Sequence, residues 1–195
     1  MNAQKQPSKF IKPSVPTPSN LNHYKIGFID ELAPFMDVAI VLFFTKSTNH
    51  NSKFAEQLEK SLEKTLTRLY PLASRFVEES QTIDCNDEGV EFIQAKVNIK
   101  LEDILGFEVN ARLIKELLPS KTIPHESVIT IQLTTFECGG VALGVSATHK
   151  VVDTSTLCTF VNEWASLNRE KMISNSQCQV SFHPPCFLPV VFVPF

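Results

Sequence analysis

The stretch that most constrains the fold is an unbroken apolar run at 38–44, VAIVLFF, with polar residues on either side. A strand with one wet face would alternate apolar and polar residues, so this run indicates a strand that is buried on both faces. Such a strand needs a layer of structure above it and another below it. We therefore predict a sheet flanked by helices, with this strand at the centre of the sheet.

Two long segments carry the periodicity of amphipathic helices, at 52–69 and 154–168. Apolar residues recur at three- and four-residue spacing in both, and Pro71 follows the first, where it would end the helix. One or two shorter helices are predicted within 101–120. The predicted inward-facing residues are Phe54, Leu58, Leu62, Leu66 and Leu69 in the first long helix, and Leu157, Phe160, Val161, Trp164 and Leu167 in the second.

The remaining patterns predict strands that are joined by short connections. Strands are expected at 75–79, 82–85, 90–99, 128–137 and 141–148, and the alternation within 90–99 predicts one wet face there. The last two are joined by Cys138-Gly139-Gly140, a hairpin turn whose glycines permit positive φ. Together the elements predict an α/β (α+β) fold, with a mixed, mostly antiparallel sheet flanked by helices.

Composition excludes several classes of protein. The chain of 195 residues is 43% hydrophobic and 20% charged, which suits one globular domain with a sizeable core. The net charge of −3 and the lack of a basic stripe give no support for a nucleic-acid partner. No apolar run reaches the ~18 residues of a membrane span, and the polar stretch MNAQKQPSKF lacks the apolar core that a signal peptide would have. Five scattered cysteines fit a reducing compartment, so we predict a cytoplasmic protein.

The motif with the most chemistry is His149-Lys150-Val151-Val152-Asp153, at a predicted strand-to-helix junction. A histidine at such a junction can reach the rim of a cleft, and its usual pKa of ~6.5 suits a general base. The same histidine could equally be half-buried at a strand end without any chemical role. Asp153 precedes a helix, where its carboxylate would accept hydrogen bonds from free backbone N–H groups, so its predicted role is structural.

Other chemistries have less support. His149 and Asp153 supply two metal ligands at most, and the remaining histidines (His23, His50, His125 and His183) stand at no helpful spacing, so no metal is predicted. No GxSxG, GxxxxGK[ST] or GxGxxG motif is present, which leaves a serine hydrolase and phosphate binding without support. Cys138 in the hairpin could be a nucleophile, but a structural role suits that position better.

Four motifs in order resemble the plant BAHD acyltransferases. They are KPSxPTP at 12–18, LYPLASR at 69–75, FECGG followed by a small-residue strand and HKVVD at 136–153, and VNEWA at 161–165. The resemblance covers about 8–170, with Ser74 where the family has glycine in its YPLAGR turn. Thr154 stands where many members have glycine, a variation that resembles the alkaloid- and terpenoid-acylating branch.

The resemblance implies a two-domain fold like chloramphenicol acetyltransferase, with the active site in a channel between similar halves. Acyl-CoA would be the co-substrate, a small-molecule alcohol or amine the acceptor, and His149 the general base. Asp153 would point away from the substrate and support the site through an ion pair. We predict no bound cofactor or metal, no nucleic acid or membrane partner, and monomeric full-length relatives; the resemblance assigns no residue to CoA binding.

One departure from the family pattern concerns the end of the chain. The DFGWG motif is absent, and the tail carries four prolines within SFHPPCFLPVVFVPF. We therefore expect an N-terminal acyltransferase domain at 1–175, the start of a crossover at 176–195, and a second domain that is missing. Such a chain would be inactive alone, and it would bind a hydrophobic dye and self-associate. The alternative function is that of a truncated, non-catalytic relative that acts as a binding or interaction protein.

Overall fold

The computed structural model describes residues 3–45, 52–106, 111–120, 127–174 and 191–193. The strands are β1 (Gln4–Lys5), β2 (Lys9–Ile11), β3 (His23–Lys25), β4 (Asp37–Phe44), β5 (Arg75–Val77), β6 (Thr82–Asp84), β7 (Val90–Lys96), β8 (Ile129–Thr135), β9 (Val141–Thr148) and β10 (Val191–Val193). The helices are α1 (Phe28–Glu31), α2 (Ser52–Arg68), α3 (Leu101–Ile104), α4 (Ala111–Glu116) and α5 (Thr154–Ser174).

Seven of the strands form one sheet in the order β1-β7-β8-β9-β4-β10, and β2 also pairs with β7. Among the strand pairs that the described residues form in this sheet, only β7–β8 is parallel. The predicted mixed, mostly antiparallel sheet is therefore confirmed. Strands β3, β6 and β5 make a separate antiparallel sheet that the sequence reading did not separate from the first.

One face of the large sheet is covered by α2 and α5, as their amphipathic patterns predict. Leu62, Leu66 and Phe160 are completely buried between these helices and the sheet. The Trp164 indole joins the two helices, since Nε1 donates hydrogen bonds to the Leu58 carbonyl oxygen at 3.1 Å and to Ser61 Oγ at 2.9 Å. Burial of the indole satisfies its polar N–H and fixes how α5 lies on α2.

The opposite face packs against α3, α4 and the residues that follow α4. Gly144 of β9 allows the closest approach, because a Cβ at that position would lie 2.2 Å from the Leu117 carbonyl oxygen. Polar residues of β8 on this face are buried too: Gln132 Nε2 donates to the Glu116 carbonyl oxygen and to Thr134 Oγ1, each at 3.0 Å. Strands β8 and β9 are therefore buried on both faces.

One expectation from the sequence needs correction. The apolar strand β4 lies inside the sheet but between β9 and β10, so β8 and β9 occupy the centre instead. A continuous apolar run reports burial, whereas the order of strands depends on pairing that the run does not encode. The wet face predicted within 90–99 is present, because Lys96 and Asn98 are exposed whereas Ile93 and Ala95 on the other face are buried.

The end of the chain is described over three residues. Val191–Val193 pair antiparallel with β4, and the rest of the predicted crossover lies outside the described residues. The boundary at 175 and the missing second domain stay predictions. In the described ranges, no helix combines the length and apolar character that a bilayer span requires.

Candidate active site

His149 follows directly after the last residue of β9, in the turn that leads to α5. The Thr148 carbonyl oxygen accepts hydrogen bonds from the backbone N–H groups of Val151 at 3.1 Å and Val152 at 2.9 Å, which closes the turn. The His149 N–H donates to the Met36 carbonyl oxygen at 2.9 Å. The backbone of the histidine is thus fixed on both sides, at the junction that the sequence predicts.

The imidazole of His149 is less constrained than its backbone. The residue is half-buried, and its Nδ1 is buried without a hydrogen-bond partner in the part of the chain that the structure describes. A buried ring nitrogen without a partner is uncommon, since most buried polar atoms are hydrogen-bonded. Within the described residues, no hydrogen bond at Nδ1 orients the ring.

Asp153 caps the N-terminus of α5. Its Oδ1 accepts a hydrogen bond from the Thr156 N–H at 2.6 Å, and its carbonyl oxygen accepts one from Leu157 at 2.9 Å. The hydrogen bonds from the Thr156 backbone and side chain, followed by a smaller effect of nearby His149, hold the pKa of the Asp153 carboxyl below its usual value. The carboxylate is exposed and supports the turn behind the histidine, while its role in a reaction stays a prediction.

Lys150, inside the motif, makes two contacts that the sequence did not predict. Lys150 is 7% exposed, and its Nζ donates a 2.8 Å hydrogen bond to the Glu31 carbonyl oxygen. The same ammonium lies 5.2 Å from the centre of the Phe35 ring, a cation–π geometry. These contacts join residues over a hundred positions apart in the chain, so no local pattern could have revealed them.

The alternative site residues are placed as follows. Cys138 Sγ accepts a hydrogen bond from the Leu101 N–H at 3.5 Å, a contact that ties the hairpin to α3. In the described ranges, no three His, Cys, Asp or Glu side chains are grouped so that they could hold a metal. His50, His125 and His183 lie outside the described residues, and His23 is exposed in β3, away from this turn in the sequence.

Comparison with known proteins identifies the family. A family model described as the Transferase family matches residues 1–190. The chain belongs to the BAHD acyltransferases. It is 40% identical over 175 residues to limonoid 21-O-acetyltransferase of Melia azedarach, covering 87% of this chain and 41% of that protein. It is also 33% identical to vinorine synthase of Rauvolfia serpentina, covering 93% and 46% respectively. These BAHD relatives fit the alkaloid- and terpenoid-acylating branch.

Solved structures agree on the fold of this BAHD chain. The crystal structure of vinorine synthase superposes with a TM-score of 0.79 at 32% identity, over 87% of this chain and 43% of that one. TRI101 of F. sporotrichioides superposes with a TM-score of 0.61 at 16% identity, over 76% and 41%, which shows a shared fold alone. The chloramphenicol acetyltransferase-like fold is thus confirmed. The chain spans less than half the length of the curated relatives that it matches.

Proposed function

We propose that this chain carries the general base of a CoA-dependent acyltransferase that acts on a hydroxyl or amine of a plant specialised metabolite. The observation that carries the proposal is the position of His149, which follows a strand buried on both faces in a turn that backbone hydrogen bonds close. Such a turn fixes the backbone from which the imidazole projects, and a general base needs a fixed position relative to its substrate. The BAHD family supplies the reaction class.

The chemistry at His149 would be a proton transfer coupled to attack on a thioester. An unprotonated imidazole nitrogen takes the proton from the acceptor O–H or N–H as that oxygen or nitrogen bonds to the thioester carbonyl carbon. The tetrahedral intermediate then collapses, the carbon–sulfur bond breaks, and the thiolate receives the proton to give CoA and the ester or amide. Because Nδ1 is buried, we assign the base role to Nε2, with the resting proton on Nδ1.

The relatives' names narrow the substrates within this proposal. Two of them are O-acetyltransferases, named for limonoid and salutaridinol acceptors. These names favour acetyl-CoA as the donor for this chain, and a hydroxyl group of a plant metabolite as the acceptor. The TRI101 structure, which shares the fold, was solved with coenzyme A and T-2 bound, and this supports an acyl-CoA as the donor.

The test is a thioester turnover assay on two proteins. Both the 195-residue chain and a fusion of it to the C-terminal half of limonoid 21-O-acetyltransferase are incubated with acetyl-CoA and a panel of terpenoid and alkaloid alcohols and amines. Release of free thiol and the acetylated product are measured together. We expect turnover in the fusion. A folded fusion without acetylated product from any alcohol or amine would contradict the proposal and favour a non-catalytic relative.

A further inference from the structure

Lys150 carries a charge that is almost completely removed from water. Its side chain is buried, and in the described part of the chain no carboxylate lies within ion-pair distance of its Nζ. Burial of an ammonium group is costly unless other interactions offset it. Here the Glu31 carbonyl oxygen and the face of the Phe35 ring provide those interactions. Both belong to residues 28–36, which we call the 28–36 segment.

The 28–36 segment also makes the backbone contact that fixes His149. Met36, its last residue, accepts the hydrogen bond from the His149 N–H. The Phe35 ring also lies against Phe76 of the core, with ring centres 6.0 Å apart. The segment is therefore attached to the core through Phe35, to Lys150 through two contacts, and to His149 through one.

We propose that Lys150 is a positioning residue for His149. Lys150 acts by holding the 28–36 segment against the turn after β9. Loss of the ammonium would remove the contacts with Glu31 and Phe35, and it would weaken the adjacent hydrogen bond between Met36 and His149. The effect of this positioning on catalysis rests on the proposed function. The positioning itself does not rest on it, because the position of His149 can be measured in a protein without catalytic activity.

Hydrogen exchange tests the proposal in the 195-residue chain. Lys150→Met keeps the aliphatic stem and removes the charge and the donor. We expect the His149 amide to exchange about tenfold faster or more, the effect of losing one charge-assisted hydrogen bond on local opening. The Val145 amide, inside β9, is expected to keep its rate. Lys9→Met is the matched control, because Lys9 pairs at the surface with Glu59 at 2.7 Å, and it is expected to change neither amide.

A second readout follows the imidazole itself. The ring signals of His149 in an NMR spectrum, assigned through His149→Gln, are expected to move in Lys150→Met and to return toward their original positions in Lys150→Arg, which keeps a charged donor. If Lys150→Met does not fold, Phe35→Leu takes its place. It removes the ring beside the ammonium and is expected to move the same signals and the same amide.

Two outcomes would overturn the proposal. Unchanged exchange at His149 and unchanged ring signals in a folded variant would show that the histidine does not depend on Lys150. Equal acceleration of amide exchange at His149 and Val145, with a lower Tm, would give the lysine a purely structural role.

In a fusion protein that shows turnover, Lys150→Met is expected to lower kcat without changing KM for acetyl-CoA. Absence of turnover contradicts the proposed function alone, and the exchange experiment still decides the positioning.

Discussion

His149 is fixed chiefly through its main chain. Its N–H is bonded to Met36, the following turn is closed on Thr148, and Asp153 caps the next helix. The imidazole adds no hydrogen bond at Nδ1 within the described residues. Replacement of the ring therefore removes few stabilising interactions, so chemistry and stability can be separated at this position.

Removal of the imidazole is expected to abolish turnover without unfolding the protein. In the fusion enzyme, His149→Ala should lower kcat by ~10²–10⁴-fold, the usual contribution of a general base. Its free energy of unfolding should stay close to that of the parent, because the backbone contacts remain. Thiol release and urea unfolding measure the two quantities. His23→Ala, at an exposed histidine of β3, is the control; turnover by His149→Ala at the level of this control would contradict the base role.

Asp153 is expected to show the opposite behaviour, a loss of stability that depends on pH. Asp153→Ala removes the cap of α5 and should lower the free energy of unfolding by ~1 kcal/mol at pH 7. The pKa of the folded carboxyl is lowered, so the contribution of its charge is present at neutral pH and disappears as the pH falls below about 4. The gap between parent and variant should therefore narrow in acid.

Urea unfolding at several pH values measures this gap, and Asp153→Asn is the matched variant. Asparagine caps helices about as well as aspartate, so it should retain most of the stability at pH 7 and show little dependence on acid. An Asp153→Ala protein as stable as the parent at pH 7 would show that the cap contributes nothing to the turn.

At the scale of elements, β9 depends on a position without a side chain. Gly144 faces the residues that directly follow α4, and the Leu117 carbonyl oxygen occupies the space that a Cβ would need. We expect Gly144→Ala to push α4 away from the strand and to destabilise the protein by ~1–3 kcal/mol, as overpacking does. Gly106→Ala is the control, since a Cβ there would lie 3.8 Å from the Glu102 carbonyl oxygen, an ordinary contact.

Thermal unfolding of the two glycine variants distinguishes them. Gly144→Ala should melt several degrees below the parent, because a ΔΔG of ~1 kcal/mol moves the Tm of a protein of this size by roughly 2–4 °C. Gly106→Ala should melt close to the parent, because its Cβ makes only an ordinary contact. Equal melting temperatures would mean that α4 is not packed tightly against β9.

The sequence predicts the helices and strands of this fold better than it predicts which of them pack or pair with each other. Helical spacing located α2 and α5 with their buried faces, because that signal is local to each helix. The order of strands and the burial of Thr130, Gln132 and Glu91 were not predictable, because they depend on what packs above them. His149 was found from its motif. Met36 and Lys150 became partners of the site only in three dimensions.

At the scale of the molecule, an apolar surface lies beside the candidate site. Phe28 is 74% exposed and Leu32 72% exposed, four residues apart in the 28–36 segment. Two large apolar side chains at this spacing share one side of a helical turn and favour binding of an apolar partner or ligand. We expect the chain to bind a hydrophobic dye, and the Phe28→Ser/Leu32→Ser variant to bind less.

Dye fluorescence and light scattering measure this surface. The control is Val15→Ser, at a residue 58% exposed in the N-terminal segment, which should leave the fluorescence unchanged. If the double variant bound as much dye as the parent, the apolar surface that the dye senses would lie elsewhere. A fall in self-association that accompanies the fall in dye binding would place both on the 28–36 segment.

The pairing of β4 with β9 has a consequence for the growing chain. Asp37 pairs with Thr148 and Phe44 with Val141, so the ribosome delivers the apolar strand about a hundred residues before its neighbour, and such non-local pairs form slowly. Until β9 has been synthesised, the VAIVLFF segment of β4 has no neighbouring strand to pair with. A short apolar segment rich in β-formers is then prone to aggregate. The nascent chain should therefore need a chaperone until the HKVVD turn has left the exit tunnel. Yield in a cell-free system should rise when one is supplied.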